Sequence, residues 1–63
     1  MKLSVHTYTD GILKYEVDSR NVSFRDLANA LRDPETSWVH INVVGGAVLI
    51  RVEAIHSIEM KTS

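Results

Sequence analysis

Three histidines, His6, His40 and His56, are the side chains of this 63-residue sequence best suited to binding a metal or transferring a proton. A protein zinc site needs three or four His, Cys, Asp or Glu ligands, usually at short and characteristic spacings. The chain has no cysteine, and no two of its histidines show such a spacing. We therefore predict no metal and no other cofactor, and we interpret the three histidines as surface residues.

Nucleophilic catalysis would need a serine held beside a histidine and a carboxylate. Ser57 follows His56, but neighbouring residues of a strand point to opposite faces, so we expect no pair between them. The Gly-x-Ser-x-Gly pattern is absent, and Gly45-Gly46 lacks the further glycines and the following helix of a phosphate-binding loop. A chain this short also has difficulty enclosing a pocket of the usual roughly 300 Å³ or more. We predict that the protein is not an enzyme.

Binding is the other chemistry that these residue types support, because Trp and Arg are enriched at interface hot spots. A stretch from Trp38 to Glu53 alternates apolar and mixed positions, and the mixed positions define a predicted interaction surface. Its residues are Trp38, His40, Asn42, Leu49 and Arg51. The alternative for Trp38 is that its ring completes the core under a helix, since burial is the commonest use of an aromatic side chain.

Arg20, Arg25 and Arg32 form a second candidate group, with Lys14 as a possible addition. Arg25 and Arg32 are seven residues apart and share the outer face of a predicted helix. Seven basic and eight acidic residues give a net charge of −1, so no global field attracts nucleic acid. Contact of these arginines with phosphate is therefore the alternative hypothesis, and a solvated helix face is the simpler interpretation.

The stretch from Trp38 to Glu53 predicts a β-hairpin closed by a two-residue Gly45-Gly46 turn of the primed type. That turn pairs Val43 with Val48, Ile41 with Ile50 and Val39 with Val52. All six residues are β-branched and share one face, which we expect to be the core. On the other face the same register places His40 opposite Arg51 and Trp38 opposite Glu53.

The first 18 residues predict another hairpin, for which two registers compete. A two-residue Asp10-Gly11 loop would pair Tyr8 with Leu13 and Val5 with Glu16. A three-residue loop with Gly11 in the left-handed conformation would instead pair Thr7 with Leu13, Val5 with Tyr15 and Leu3 with Val17. We prefer the second register because it gathers the apolar residues on one face. Its members are Leu3, Val5, Leu13, Tyr15 and Val17.

Between the hairpins, residues Val22 to Arg32 predict the helix, with Ser23 as N-cap and with Val22 and Leu27 as a hydrophobic staple. The predicted buried stripe is Phe24, Leu27, Ala28 and Leu31. Pro34 predicts that the helix ends near Arg32. A corner at Ala54-Ile55 and a short last strand from His56 to Lys61, with Ile58 and Met60 inward, complete the order.

These elements predict one small α+β domain over residues 1–63: two β-hairpins, one helix between them and a short C-terminal strand, in the order β-β-α-β-β-β on one curved antiparallel sheet. Such a sheet either curls towards a barrel or meets another copy, because one helix covers only one face. A chain of this size is marginal alone, and without cysteine it has no disulfide to help.

We therefore expect a non-catalytic interaction or regulatory module that self-associates, with a nucleic-acid-binding regulator or a small-ligand binder with sites between subunits as alternatives. The segment from Met1 to Gly11 lacks the apolar run of a signal peptide, and no stretch approaches the roughly 20 apolar residues of a membrane span. The sequence thus predicts a cytoplasmic protein without a membrane partner, of the size typical of small bacterial or phage proteins.

Overall fold

The computed structural model describes residues 1–62, and within them it has five strands and one α-helix in the predicted order β-β-α-β-β-β. A 3-10 turn at Val52–Ala54 separates the last two strands. The elements are β1 (Lys2–Thr7), β2 (Ile12–Glu16), α1 (Phe24–Arg32), β3 (Trp38–Val43), β4 (Gly46–Arg51) and β5 (Ile55–Lys61).

The strands form two antiparallel sheets instead of the single curved sheet predicted from the sequence. One has the strand order β2-β1-β5 and the other contains only β3 and β4. The 3-10 turn at Val52–Ala54 redirects the chain after β4, and β5 then pairs with β1. The small α+β fold is confirmed, and the sheet is not closed into a barrel.

One core of aliphatic side chains lies between the two sheets and the helix. The least exposed of its members come from both sheets: Leu3 and Val5 of β1 are 0% exposed, and Ile41 of β3 is 2% exposed. The buried core consists of Leu3, Val5, Val17, Val22, Leu27, Val39, Ile41 and Ile50. The inward face predicted for each hairpin is therefore confirmed.

The register of the second hairpin differs from the prediction by two residues. Val43 pairs with Gly46, Ile41 with Val48 and Val39 with Ile50, so the two turn residues are Val44 and Gly45. Only Gly45 has a positive φ, of 92°, which excludes both primed turns. The cause is tertiary: the Val44 amide donates to the Glu16 carbonyl at 2.9 Å, which places Val44 at the tip of the turn.

Both registers considered for the first hairpin are wrong. Val5 pairs with Leu13 and His6 with Ile12, which leaves a five-residue connection. The Thr7 side chain stabilises this longer loop, because its hydroxyl donates to the Gly11 carbonyl at 2.7 Å and accepts from the Asp10 amide at 2.9 Å. Gly11 is left-handed as predicted, with φ 72°. The preferred register is in error by two residues, and a shift of two preserves the apolar face.

The helix begins at Phe24, two residues after the predicted start, and ends at Arg32 as predicted. Ser23 is the N-cap, and its hydroxyl accepts from the Asp26 amide at 3.3 Å. Val22 and Leu27 are both 7% exposed in the core, as the staple requires. The buried side of the helix is rotated relative to the predicted stripe of Phe24, Leu27, Ala28 and Leu31.

Phe24 is 44% exposed, and the residues that pack against the core from the helix are Leu27, Ala30 and Leu31. The side of the helix that carries Leu27 therefore faces the core.

The last strand begins at Ile55, one residue before the predicted start, and Ile58 and Met60 pack against the core as expected. Thr7 pairs with Ile55 and His6 with Ser57, so His56 is an extra residue in β5 and forms a bulge. The described residues contain no helix that is both long and apolar enough to cross a bilayer.

The observed turn predicts opposite responses at its two glycines. Gly45→Ala places a side chain at φ 92° and should lower the free energy of unfolding by roughly 1–2 kcal/mol. Gly46→Ala, at a strand position with open space around it, should be neutral or slightly stabilising. Denaturant unfolding of both variants measures the difference. A larger loss at Gly46 would contradict the Val44–Gly45 turn.

Candidate functional site

The predicted interaction surface is the exposed side of the hairpin formed by β3 and β4. Trp38, His40, Asn42, Leu49 and Arg51 alternate with the buried residues of the two strands and are all exposed. Trp38 is 50% exposed and Leu49 is 59% exposed, so neither side chain belongs to the core. Trp38 does not complete the core under the helix. We call these five residues the outer face.

The corrected register changes which side chains of the outer face meet. Trp38 lies opposite Arg51, and His40 lies opposite Leu49. The Arg51 guanidinium lies over the Trp38 ring, 5.5 Å from its centroid, and forms an ion pair with Glu53. Glu53 lies in the 3-10 turn beyond β4 and not opposite Trp38. It is linked to the tryptophan through Arg51, which contacts both side chains.

The outer face has two halves with different neighbours. His40 and Asn42 border a shallow pocket of about 170 Å³ between β3 and the start of the helix, with Asn21, Ser23 and Asp26 among its polar walls. Trp38, Leu49 and Arg51 border the opposite side, where β4 has no strand beside it. The apolar and aromatic part of the surface is thus concentrated at the free edge of β4.

A cleft of about 610 Å³ runs along this edge and separates β4 from β2. Its inner walls are apolar, and its rim carries the three residues of the outer face just described together with polar groups from the first loop. The lining residues are Thr7, Thr9, Asp10, Leu13, Tyr15, Trp38, Val48, Leu49, Ile50, Arg51 and Ala54.

Backbone hydrogen bonds connect the two sheets on either side of the cleft. The Glu16 carbonyl at the end of β2 accepts from Val44 at 2.9 Å, and the Ala54 carbonyl accepts from Tyr8 at 3.0 Å. Between these points β2 pairs only with β1, and β4 pairs only with β3. The core is therefore accessible from one side, through the gap between two strand edges.

Four of the residues that line the cleft were predicted from the sequence to belong to the core alone, and one of them, Ile50, is buried. Leu13, Tyr15 and Val48 do pack against the core, but each is only half-buried and also faces the cleft. Alternation identified their side of the strand correctly. It carried no signal for the gap, because the separation of β2 from β4 depends on how the two sheets pack.

The three arginines of the alternative hypothesis have different surroundings. Arg20 is held by Asp18, with Nη2 donating to Oδ2 at 2.9 Å and Nε donating to Oδ1 at 3.2 Å. Arg25 and Arg32 are exposed on the helix. The Asp18 carboxylate neutralises one of the three charges locally, and this reduces the positive charge that the group could offer to phosphate. Lys14 is exposed on β2, in the other sheet.

The Asp18–Arg20 contact shifts the titration of both groups. The side-chain hydrogen bonds from Arg20, followed by the bond from its backbone amide, lower the pKa of Asp18 to about 2. The same carboxylate raises the pKa of Arg20 above its usual value. Asp18 also accepts two backbone bonds at its carbonyl, from Asn21 at 2.9 Å and from Val22 at 3.1 Å, so it organises the approach to the helix.

The expected separation of His56 from Ser57 is wrong. Nδ1 of His56 lies 3.3 Å from Oγ of Ser57, and both side chains are exposed. The bulge at His56 interrupts the alternation of β5, so these neighbours do not point to opposite faces. The His56 ring also meets Tyr8 edge-on, with ring centroids 5.4 Å apart.

No group of three or more His, Cys, Asp or Glu side chains is arranged to hold a metal ion within residues 1–62. Comparison of the chain with protein-family models, with curated proteins and with solved structures found no match. The outer face and the cleft beside it are therefore the candidate site on the strength of their geometry alone.

The Asp18 carboxylate makes a pH-dependent contribution whose sign follows from its pKa. Because this pKa is lower in the folded chain than the ordinary value of 3.8, the stabilisation is complete above about pH 4 and is lost as the pH falls through about 2. Arg20→Ala removes the side-chain bonds and leaves the backbone bond, so the pKa of Asp18 should rise towards 3.8. Carboxyl-carbon NMR titration measures it, with Arg25→Ala as the control. An unchanged titration in Arg20→Ala would contradict the assignment.

Proposed function

We propose that this chain is a non-catalytic interaction module that self-associates through its outer face. The observation that carries the proposal is the exposure of Trp38 and Leu49 side by side at the rim of an apolar cleft. Large apolar side chains grouped in this way mark interaction surfaces in water-exposed proteins. A partner that covered them would also cover the open side of the core.

The charges of this surface fit a second copy of the same chain. A twofold-symmetric contact places the same patch on both sides, so the patch must be complementary to itself. Arg51 and Glu53 supply one charge of each sign at the same end of the hairpin. Two copies related by a twofold axis can therefore face each other without an excess of either charge.

The exposed area supports the need for a partner. The chain has 4480 Å² of accessible surface. A folded monomer of 7.1 kDa is expected to have about 4,100 Å². Burying apolar surface beside the gap between the sheets would strengthen a core that consists of eight side chains among the described residues.

The test is solution mass by light scattering over a concentration series, at low and high salt. The wild-type chain should form a discrete multimer that persists at high salt, because an apolar contact is not screened. Leu49→Asp places a carboxylate in that contact and should produce a folded chain of lower solution mass than the wild-type multimer. Trp38 fluorescence should shift to shorter wavelength as the wild-type multimer forms, and it should not shift in the variant.

The matched control is Ile12→Asp, which replaces another exposed strand residue, 53% exposed, in the other sheet. It should leave the mass of the multimer unchanged. A Leu49→Asp chain that stays folded and keeps the wild-type mass would exclude the outer face as the contact between copies.

A further inference from the structure

The free edge of β5 is a second surface whose residues match those of another copy of the chain. β5 has seven residues and is hydrogen-bonded only to β1, so the backbone groups along its other side are unpaired in the part of the chain described. It contains no proline and no bulge between Ser57 and Lys61. An unpaired, regular strand edge can add a strand from another chain.

On the solvent side of the β2-β1-β5 sheet, the charges beside the free edge of β5 are unbalanced. Lys2 has Glu16 opposite it on β2, but Lys61 opposite it on β5. Like charges directly opposite each other in a sheet are destabilising. Glu59 relieves part of this repulsion along its own strand, with its Oε1 3.2 Å from Nζ of Lys61, and both side chains are more than half exposed.

An antiparallel copy of β5 would supply the missing carboxylate. When the twofold axis passes beside Met60, each Glu59 lies opposite Lys61 of the second copy, and both cross-strand pairs are attractive. An axis beside Glu59 would place two carboxylates opposite each other, and an axis beside Ile58 would leave Glu59 opposite Ser57 of the second copy. Charge complementarity therefore selects the register centred on Met60, in which residues 59–61 of the two strands lie opposite one another.

The same register also continues the apolar side of the sheet. Ile58 and Met60 face the core but remain half-buried, because β5 is the last strand on that side. In the paired arrangement Met60 lies opposite Met60 of the second copy, where their side chains cover each other. The polar side stays exposed, since it carries Ser57, Glu59 and Lys61.

We infer that two copies of this chain pair antiparallel through β5, in the register that sets Glu59 against Lys61 of the second copy, and form one six-stranded sheet in the order β2-β1-β5-β5-β1-β2. This contact extends the proposed self-association but rests on a different surface. The outer face of β3 and β4 has a footprint of only roughly 20 Å by 10 Å. Stable interfaces bury about 800 Å² per partner, so a second contact would add buried area to the small area of the first. A chain that uses both surfaces forms assemblies larger than a dimer.

Two single charge reversals test this register. Glu59→Lys places lysine opposite lysine in the homodimer, and Lys61→Glu places glutamate opposite glutamate. Each should raise the dissociation constant of the edge contact roughly tenfold, because two attractive pairs become repulsive. Mixing the two variants restores opposite charges at both pairs, so a heterodimer should form at concentrations where each variant alone is dissociated.

The measurement is the solution mass at low salt of each variant and of their equimolar mixture. Each charge reversal is made both in the otherwise wild-type sequence and in the Leu49→Asp variant. Matched controls are Glu35→Lys and Arg25→Glu, which change the net charge equally at exposed positions away from β5. Circular dichroism checks that every variant is folded. The controls should assemble as the wild type does.

Reversal variants that keep the wild-type mass at every concentration, or a mixture no heavier than its components, would overturn pairing through β5. The contact through the outer face is tested independently. If Leu49→Asp does not change the solution mass, that contact is excluded, while the charge-reversal variants still test pairing through β5.

Discussion

The apolar contact between two small sheets is the interaction on which the rest of this structure depends. The two-stranded sheet depends on this contact most, since an isolated hairpin is marginally stable at best in water. Leu3 and Val5 from one sheet and Val39 and Ile41 from the other form the centre of the shared core. Within residues 1–62 only a few backbone hydrogen bonds connect the two sheets, so side-chain packing holds them in place.

This arrangement explains why the molecule has so many unpaired edges. A barrel of five strands would satisfy every backbone group, but here the 3-10 turn at Val52–Ala54 sends β5 to β1 and leaves β4 without a neighbour on one side. The open edges of β2 and β4 border the cleft, and that of β5 faces solvent. Each of the proposed contacts between copies therefore originates in the same incomplete closure.

Electrostatic interactions have a secondary role in holding the chain together. The side-chain ion pairs found in residues 1–62, such as Arg51–Glu53 and Glu59–Lys61, are largely exposed, where such pairs contribute little. Their value lies in orientation. Arg51 is held over Trp38, and Asp18 shapes the approach to the helix.

The sequence by itself determined which side of each strand faces the core, where the helix is capped and ended, and that Leu49 lies on an outer surface. It left Trp38 open between the outer surface and the core, and the structure places it on the surface. These properties follow from periodicity and local chemistry, which involve residues a few positions apart. The register of the second hairpin was decided by tertiary structure, because the bond from Val44 to Glu16 places Val44 in the turn. The register of the first accompanies a local contact of the Thr7 hydroxyl within the loop, which alternation does not reveal. An error of two residues leaves every side chain on its original face, so alternation cannot detect it. The division into two sheets and the cleft between them depend on long-range packing, which no local pattern encodes.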